Sequence, residues 1–592
     1  MFETIDLSFI KKILKDRGFN KGESEDFLNP LYIEEKGGMY DGRKMKDIDK
    51  AIDRIWKAID SNEKIAIYSD YDADGVPGAV VLHSFFKKIK FDRHVIIKIP
   101  HRHTDGFGLH AHLIDQIERE GATLIITIDL GSSNVEQVTH ANSLGIDVII
   151  TDHHEPHKEL PNAVAILNPK QNGCKYPDKN LCGSGVIFKL VHLLIEEARK
   201  RKYDIPAGYE KWLLDMVGLA TISDMVPLIG ENRVFAYYGL KVLQKNKRKG
   251  IYHLLSKLKI NERYLDESDI GFSVSPCINA ASRMSHAIDA FNLLSSDDED
   301  MCIKSASALI KLNKLRKSSA NSLISDIKNK IDVSKVCDII VIGDENWSPT
   351  ILGPAASNMV RQFQIPVFIY ALAGEGVFRG SCRSIPGISV VNIMSHVSEG
   401  FFIESGGHHA SGGFAFAVEK KDLFEGEMKE AFRKYKKVRD NSKINEEVVA
   451  DEPSYKITHD NVDNFLIKHL AQMKPFGMKN QNPLFCIKQV SFRTIKFFGK
   501  QKEHIEFVVE QFLNNKGEME TATPELFQDT YKYSPNYNKK DVVKYISFFA
   551  DNKLQEIQPN IEYDIYGRVE ESNFLGKKEI RVKVEYIHVS EK

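Results

Sequence analysis

Cysteine is scarce in this sequence and does not occur in metal-binding pairs. Seven cysteines are spread over 592 residues, and no two of them form a Cys-x-x-Cys motif. An odd number without such pairing is not typical of a disulfide framework or of a zinc ribbon. We therefore expect free thiols and a reducing compartment, the cytoplasm.

Long apolar runs and an excess of charge of either sign are also lacking. No stretch of about 18 apolar residues is present, so no membrane-spanning helix is expected. The opening MFETIDLSFIKKILKDRGF is charged throughout and has no apolar signal-peptide core. The 81 Lys and Arg residues balance 82 Asp and Glu residues. Any polyanionic partner would therefore have to be bound by local basic patches.

The chain is long enough for three or four domains of ordinary globular composition, with 42% hydrophobic and 28% charged residues. A polar stretch, 438–454, is interpreted as a linker. The pattern predicts a helical N-terminal segment (1–60), an α/β domain (61–260), a helical connector (261–335), a second α/β domain (336–437) and a β-rich C-terminal domain (455–592).

Four short Ile- and Val-rich runs dominate the first α/β region: KIAIYSD, HVIIKIP, TLIITIDL and DVIITDHH. Helical patterns such as VPGAVVLHSFFKKI lie between them. Strands that alternate with helices of this length predict a parallel sheet covered on both faces.

Acidic residues follow three of these four strands. Asp70, Asp72 and Asp74 come directly after the first, and Asp129 and Asp152 end two others. In an open parallel sheet the binding crevice lies outside the carboxyl ends of the strands, so the acids should converge there. Carboxylates this close repel one another. Bound cations would make the cluster tolerable, and the sequence therefore predicts a metal site.

The neighbouring histidines and a further aspartate strengthen this prediction. His153 and His154 follow Asp152, and Asp224 lies in TISDMVPL. Hard divalent cations prefer carboxylate oxygen, and imidazole adds affinity for Mn²⁺ over Mg²⁺. Two cations about 3.5–4 Å apart stabilise both the attacking and the leaving oxygen of a phosphoryl displacement. One carboxylate has to bridge them, and Asp129 suits that position.

The ordered motifs SDYDADG, TIDLG, TDHH and ISDMVPL resemble those of the DHH phosphoesterase family. GSCRSI (380–385) and SGGHHASGG (405–413) resemble the DHHA1 domain associated with that family. Five further stretches narrow the match to a bacterial branch of single-strand-specific exonucleases: FLNP (27–30), IPHRHTDGFGL (99–109), LCGSGVIFKL (181–190), NAASRM (279–284) and MKPFGMKNQNPLF (473–485).

The resemblance implies a fold, an activity and a metal centre. The fold is a parallel-sheet DHH domain, a helical connector, an α/β DHHA1 domain and a C-terminal OB-like β-barrel. The activity is 5′-to-3′ degradation of single-stranded DNA to mononucleotides in recombination and repair, with two Mn²⁺ or Mg²⁺ ions. The implied metal ligands are Asp72, Asp74, the bridging Asp129, His153 and Asp224, with His154 facing the scissile phosphate and Asp152 supporting its neighbour.

The resemblance also implies how DNA and partners are bound. Arg102 and Arg283 are expected to contact strand phosphates, since guanidinium groups match phosphate oxygens. The expected terminal-phosphate pocket and its glycine-rich neighbour comprise Ser381, Arg383, Gly406, Gly407 and His408. Besides the 5′ end of single-stranded DNA, a single-stranded-DNA-binding protein and a helicase are candidate partners, and the chain is expected to be a monomer.

The sequence departs from the family pattern at several positions. Many relatives carry His where Tyr68 stands, which would cost one metal a nitrogen ligand, so Asp70 or a water has to substitute. Cys277 and Ser282 occupy positions around the NAA motif where relatives often have Arg and Gly. Ser348 replaces a histidine, and Ser411-Gly412 replaces Ala-Ala. These changes bear on metal preference, rate and strand contacts.

The C-terminal region carries short β-like runs that predict a small barrel. Its segment SFRTIKFFGKQK interleaves aromatic and basic residues, which suits base stacking in an OB-type groove. Burial in the barrel core explains the aromatics equally well. The residues concerned are Phe492, Phe497 and Phe498 with Arg493, Lys496, Lys500 and Lys502.

Two other functions are weighed against the exonuclease. A family relative acting on short RNA or cyclic dinucleotides is disfavoured because such members are much shorter and lack the C-terminal barrel. A catalytically silent relative serving as a replication scaffold should have lost metal ligands. Apart from the variable position of Tyr68, the ligand set here is intact.

Overall fold

The computed structural model describes most of the chain, which divides into two compact units. One unit combines Met1–Tyr40, Met225–Tyr237 and Glu452–Lys592, and the other combines Asp41–Asp224 and Tyr238–Asp451. The described residues are 7–32, 38–245, 247–331, 338–374, 376–442, 454–492, 494–499, 504–509, 543–548, 557–558, 561–574 and 577–590.

The helices in these residues are α1 (Leu7–Asp16), α2 (Lys21–Leu28), α3 (Ile48–Asp60), α4 (Gly75–Lys88), α5 (Ala111–Arg119), α6 (Val135–Ser143), α7 (Gly183–Lys200), α8 (Tyr209–Trp212), α9 (Leu214–Ser223), α10 (Gly230–Leu243), α11 (Lys249–Leu258), α12 (Glu267–Asp269), α13 (Ser275–Met284), α14 (Ile288–Ser295), α15 (Glu299–Lys330), α16 (Leu352–Phe363), α17 (Val390–Met394), α18 (Lys421–Ser442) and α19 (Asn464–Leu470).

The strands are β1 (Lys64–Ser69), β2 (Val95–Lys98), β3 (Ala122–Ile128), β4 (Asp147–Thr151), β5 (Ala165–Leu167), β6 (Ile340–Asp344), β7 (Val367–Leu372), β8 (Val377–Arg383), β9 (Phe402–His408), β10 (Ser411–Ala417), β11 (Ser454–Thr458), β12 (Leu484–Ser491), β13 (Thr494–Phe498), β14 (His504–Val509), β15 (Val543–Ser547), β16 (Glu562–Phe574) and β17 (Lys577–Val589).

The first sheet is parallel throughout and has the order β2-β1-β3-β4-β5. All residues of β1 after Lys64 are buried, as expected for a strand covered on both faces. Helix α4 is buried along most of its length, because its small and branched side chains lie in the interior. The predicted parallel sheet is confirmed. The three-residue β5 was not predicted, since so short a run has no recognisable period.

The second sheet, of order β6-β7-β8-β10-β9, is mixed: β6 and β7 run parallel and the other pairs antiparallel. Its core is rich in aromatic rings, such as Phe416 and Phe424 with centroids 4.3 Å apart. Both sheets belong to the unit Asp41–Asp224 and Tyr238–Asp451.

The third sheet belongs to the other unit and has the order β11-β12-β16-β17-β15-β14-β13. Among the described strands, the pairings run from β11 to β13 without closing on themselves. Helix α1 packs its apolar face into the core of this sheet. The first forty residues therefore group with the C-terminal region, while the domain limits given above stay predictions.

The interpretation of 438–454 as a linker was wrong at its start. Helix α18 continues to Ser442, because extending an existing helix adds a hydrogen bond per residue without a new nucleation cost, even for residues of low helix propensity. Residues 443–453 lie outside the described part of the chain. None of the helices described here has the length and apolar character needed to cross a membrane.

Candidate metal centre

The acidic loop after β1 is held in place by its own backbone and by α13. The Asp72 Oδ1 atom accepts hydrogen bonds from the backbone N–H groups of Asp74 (2.8 Å) and Gly75 (3.1 Å), at the start of α4. Between the two acids, the Ala73 N–H donates to Asn279 Oδ1 at 2.9 Å. The NAASRM motif thus fixes the loop that carries the predicted ligands.

Asp74 is anchored by the start of α7. Its two carboxylate oxygens accept the N–H groups of Gly183 (2.6 Å) and Ser184 (2.7 Å). A helix N-terminus favours negative charge, and these bonds are charge-assisted. Burial and the neighbouring Asp72 charge still raise the pKa of Asp74 to about 6, although the two N–H groups oppose the shift.

Asp129 follows β3 in a strained backbone conformation. Its φ of 64° lies in the left-handed region that few non-glycine residues adopt, and its N–H donates to the Thr151 carbonyl at 2.9 Å. Gly183 packs directly against it, since a Cβ at that position would lie 2.5 Å from the Asp129 Cβ. Burial, followed by the charges of four other aspartates, raises the pKa of Asp129 well above its usual range.

Asp152 organises the two histidines that follow it. Its Oδ1 accepts the N–H groups of His153 (2.7 Å) and His154 (3.1 Å), and lies 2.9 Å from His154 Nδ1. Its Oδ2 accepts the Ser132 N–H at 2.9 Å. Asn168 adds a bond to the His154 carbonyl at 2.9 Å. The carboxylate is therefore occupied in supporting its neighbours.

The two histidines differ in protonation. Burial, together with the neighbouring His154, lowers the pKa of His153 to about 3, so its ring is neutral and offers a nitrogen lone pair. Burial also lowers the pKa of His154, but the Asp152 hydrogen bond and charge outweigh it and raise the value to about 9. A neutral imidazole is the form that ligates metals.

The side chains meet in three overlapping groups, each with its candidate ligand atoms within 4.8 Å of one another. Asp129 belongs to two groups and His153 to two, so the groups are continuous. The His153 Nε2 atom lies 3.1 Å from Asp129 Oδ1, 3.7 Å from Asp224 Oδ2 and 3.9 Å from Asp74 Oδ2. The groups are Asp70 with Asp72 and Asp129, Asp74 with His153 and Asp224, and Asp129 with His153 and His154.

Two buried oxygens in this cluster indicate what it is built to hold. Asp70 Oδ1 and Asp129 Oδ1 have no hydrogen-bond partner among the described residues. A buried carboxylate oxygen without a partner costs free energy unless a cation satisfies it. Ligand atoms of one Mg²⁺ ion, each about 2.0–2.1 Å from it, come about 3 Å apart in octahedral geometry. The donor set and its spacing fit divalent cations.

Beside the acids lies a group of arginines. The Arg102 guanidinium lies 4.7 Å from the ring centroid of Tyr71, in the acidic loop. Arg283, at the end of α13, donates to the Thr350 carbonyl at 3.3 Å. Burial, then the charges of Arg102, Arg316 and Arg383, lowers the pKa of Arg283 to about 9. The repulsion among these arginines indicates that the site binds anions, which would neutralise it.

The residues predicted for the terminal-phosphate pocket lie on β8 and β9 of the second sheet, which are separated by β10. Arg383 Nη1 donates to Ser381 Oγ at 3.1 Å, at the end of β8. Gly406 and Gly407 pair with Gly413 and Gly412 on β10. Gly407 has φ 141° and approaches the β10 backbone so closely that no Cβ fits there. The backbone of His408 pairs with Ser411, while its side chain lies outside the described structure.

Four of the residues that depart from the family pattern form hydrogen bonds in the structure. The Tyr68 ring is buried in the sheet core, and its hydroxyl donates to the Gly108 carbonyl at 3.2 Å, away from any ligand role. Cys277 is buried and accepts from Asn313 Nδ2 at 3.4 Å. Ser282 Oγ donates to the Asn279 carbonyl at 3.2 Å. Ser348 Oγ lies 2.9 Å from Thr350 Oγ1.

Sequence reasoning gave no role to several residues that shape the site. Asn279 and Ser184 lie in quoted motifs, yet only the fold shows that they hold Ala73 and Asp74. Arg316 was missed entirely, because it lies within a long helix of ordinary amphipathic character. A basic residue one turn from the buried Asn313 was the only signal available.

Comparisons with known proteins bear on this geometry. The DHH family N-terminal domain model matches residues 64–221, the DHHA1 domain model matches 322–434 and the RecJ OB domain model matches 455–519. A relative from Bacillus subtilis, named single-stranded-DNA-specific exonuclease RecJ, is 32% identical over 86% of this chain and 63% of its own length. The Escherichia coli protein of the same name is 30% identical over 80% of this chain and 82% of its own length.

The chain belongs to the RecJ family. The three matches confirm that the chain contains the predicted DHH, DHHA1 and OB domains. This RecJ-family chain spans 63% of the length of the Bacillus subtilis relative and 82% of that from Salmonella typhimurium, which is 30% identical.

Solved structures agree with this assignment. The fold matches that of RecJ from Thermus thermophilus in complex with Mn²⁺, with a TM-score of 0.73 and 21% identity, over all of this chain and 79% of the other. A structure of exonuclease RecJ bound to manganese matches with a TM-score of 0.56 and 27% identity, over 66% of this chain and 95% of the other. Both of these related structures were solved with manganese, and the carboxylates and imidazoles of this RecJ-family chain could hold such an ion.

Proposed function

We propose that the protein is a metal-dependent 5′-to-3′ exonuclease that degrades single-stranded DNA to mononucleotides in recombination and repair. The observation that carries the proposal is the set of acidic and histidine groups that overlap through Asp129 and His153 and adjoin an arginine cluster. The names of the relatives, single-stranded-DNA-specific exonucleases, support the same substrate.

Two divalent cations, Mn²⁺ or Mg²⁺, would be held by Asp72, Asp74, Asp129, His153 and Asp224, with Asp70 replacing the nitrogen ligand that Tyr68 does not supply. Bound cations supply charge neutralisation to the attacking and leaving oxygens of a phosphodiester displacement.

The chain's own groups orient the strand. His154 is held through Nδ1 by Asp152, which leaves Nε2 to donate a hydrogen bond to the scissile phosphate. Arg102 and Arg283 bind neighbouring phosphates, and Arg316 adds charge to the same path. Arg383 and Ser381 bind the terminal phosphate, which carries more negative charge than an internal one.

The C-terminal domain would bind the single strand. Phe497 and Phe498 on β13 are 45% and 37% exposed, and His504 and Phe548 lie beside Phe498. Exposed rings suit base stacking. Phe492 instead stacks on Phe507 in the core, with centroids 4.6 Å apart. Arg493, Lys500 and Lys502 lie outside the described residues.

Several finer statements belong to this proposal. The domain limits at 1–60, 61–260, 261–335, 336–437 and 455–592, the cytoplasmic location and the monomeric state are predictions. So are the single-stranded-DNA-binding protein and the helicase as partners.

A digestion experiment tests the proposal. A single strand labelled at either end is incubated with Mn²⁺, with Mg²⁺ and with a chelator, alongside the matching duplex. We expect mononucleotides from the 5′ end, only of the single strand and only with metal. Cleavage of short RNA or cyclic dinucleotides in preference to DNA would favour the alternative phosphodiesterase. Strand binding without any cleavage would favour the scaffold.

A further inference from the structure

A basic cavity lies at the end of α4 opposite the metal centre. Helix α4 begins beside the acidic loop and ends at Lys88, so 14 residues at about 1.5 Å per residue separate its two ends by about 20 Å. The cavity has a volume of about 470 Å³. We call it the lysine pocket and define it by Lys87, Lys88, Lys90, Tyr209, Trp212 and Lys247, which all line it.

The lysine pocket has an excess of positive charge. Within the described part of the chain, the ammonium groups of Lys88, Lys90 and Lys247 form no ion pair, whereas Lys87 is paired with Asp297 at 2.6 Å. Arg248 also lines the cavity, but its guanidinium is paired with Asp215 at 2.7 Å. Three like charges facing one cavity repel one another unless an anion joins them. The charge pattern therefore favours an anionic ligand with more than one charge.

Trp212 gives the pocket an aromatic wall. This side chain is 41% exposed, whereas Trp56 and Trp347 are 2% and 8% exposed. Tyr209 stands three residues before it in α8 and is fixed by a hydrogen bond from its hydroxyl to the Ser84 carbonyl at 3.0 Å. Lys245 Nζ lies 5.5 Å from the Trp212 ring centroid, and a planar ligand would replace that contact. An exposed indole beside a basic cavity is suited to stacking on a flat heterocycle.

We propose that the lysine pocket binds a nucleoside phosphate, with the base stacked on Trp212 and the phosphates among Lys88, Lys90 and Lys247. The volume is within the usual range for small-molecule sites. Two sources share this chemistry: the deoxynucleoside monophosphates that the proposed exonuclease releases, and free nucleoside triphosphates. Because α4 connects the pocket to the acidic loop, binding here would bear on the nuclease centre. The binding itself does not depend on the proposed function.

Trp212 provides the readout, since the other two tryptophans are buried. The full chain is titrated with dTMP, dTTP, thymidine and pyrophosphate while tryptophan fluorescence is followed. A chelator is present throughout, because without cations the carboxylates of the metal centre repel phosphate. We expect saturable quenching by dTMP or dTTP, weaker quenching by thymidine and no quenching in Trp212→Phe. Tighter binding of dTTP identifies the triphosphate as the ligand, and equal or tighter binding of dTMP identifies the product.

Matched lysine variants locate the site. We expect the Lys90→Ala/Lys247→Ala double variant to bind at least about tenfold more weakly, as charge-assisted contacts to phosphate are lost. Lys257→Ala removes an exposed lysine from α11, outside the pocket, and should bind like the parent chain. Unchanged quenching in Arg383→Ala would exclude the terminal-phosphate pocket as the source of the fluorescence signal. Absence of saturable quenching, or equal affinity in the double variant and the parent, would overturn the proposal. The proposal would also be overturned if pyrophosphate displaced dTTP while dTMP did not bind at all.

Discussion

Asp129 illustrates how a single residue can be unfavourable for the fold and still suit a metal site. It has a positive φ, a buried carboxylate and an oxygen without a hydrogen-bond partner. Its raised pKa means that ionising it, buried among four other aspartates, is costly without a bound cation. Such costs are found together where function requires them. If the Asp129 carboxylate binds two cations, that binding would offset all three costs.

Replacing Asp129 by Asn should therefore separate stability from activity. Asn keeps the shape and removes the charge, so the metal-free variant should melt at the same temperature as the parent or higher. Its stabilisation by Mn²⁺ should be lost, and digestion of single strands should fall by about a thousandfold, equivalent to roughly 4 kcal/mol. Thermal melts with and without Mn²⁺, together with initial digestion rates, measure both effects. Near-normal digestion at saturating Mn²⁺ would rule out Asp129 as the bridging ligand.

Arg383 supports a prediction about strand polarity. Arg383→Ala should reduce the rate on 5′-phosphorylated strands about 10- to 100-fold more than on 5′-hydroxyl strands, because a charge-assisted hydrogen bond is lost. Lys should restore only part of the difference, since it keeps the charge and loses the planar fork. Initial rates on strands that differ only at the 5′ end provide the measurement.

Arg379→Ala is the matched control for Arg383. It removes an arginine from the same strand, β8, where Arg379 is exposed and pairs with Glu404 at 2.8 Å. This variant should treat both substrates like the parent chain. An equal loss on both substrates in Arg383→Ala would mean that polarity is read elsewhere.

The residues that meet in the candidate metal centre were predictable from sequence, whereas the residues that hold them in place were not. Asp72, Asp74 and His153 stand directly after strands, where the parallel topology brings strand ends together. Asn279 is 206 residues from Ala73, whose N–H it accepts, and no local pattern reveals that contact. Supporting contacts of this kind depend on tertiary packing and appear only in the fold.

At the scale of elements, helix α7 is the clearest example of a part whose position decides the site. Its first N–H groups bind Asp74, and Gly183 lies against Asp129. The hydrophobic pattern predicts the interior of such a helix well, but its first residue only approximately. The same limitation explains the unpredicted end of α18 at Ser442, where charged residues resemble a linker.

Gly183→Ala tests the position of α7. The added Cβ would lie 2.5 Å from the Asp129 Cβ, so the helix or the carboxylate has to move. Overpacking of this kind costs about 1–3 kcal/mol of stability. A displacement near 1 Å at a catalytic group lowers the rate by about a hundredfold. Digestion rates and the apparent Kd for Mn²⁺ should therefore both worsen.

Gly426→Ala is the control for that substitution. Gly426 lies exposed within α18, and nothing would contact a Cβ there within 4 Å. Alanine should stabilise this helix by about 0.5–1 kcal/mol and leave digestion unchanged. If Gly183→Ala behaves in the same way, the close approach of α7 to Asp129 is not needed for activity.

At the scale of the whole molecule, the order of the chain does not follow the order of the compact units. The β-rich unit is assembled from three segments: the first forty residues, Met225–Tyr237 and the C-terminal region. Arg233 from the middle segment donates to the carbonyls of Phe27 (2.7 Å) and Met473 (3.0 Å). Apolar faces several hundred residues apart cannot be matched by sequence pattern, since periodicity shows that a face is buried and not what covers it.

This assembly predicts how truncated chains behave. Removing Glu452–Lys592 alone takes away the core against which α1 packs, and leaves Phe9, Ile10, Ile13 and Leu14 exposed. Such a chain should aggregate. Removing residues 1–40 as well takes away this apolar face, although Met225–Tyr237 stays without its partners. The doubly truncated chain should therefore aggregate less than the singly truncated one and still cleave short strands, because the acidic cluster lies wholly in the other unit.

The two truncated chains are compared with the parent by size-exclusion chromatography, by thermal melts and by strand binding at several salt concentrations. The doubly truncated chain should bind long strands more weakly and with a smaller dependence on salt, since a basic and aromatic surface is gone. A soluble, stable chain after removal of Glu452–Lys592 alone would show that α1 does not need the C-terminal core. Unchanged affinity of the doubly truncated chain for long strands would show that the C-terminal domain does not bind DNA.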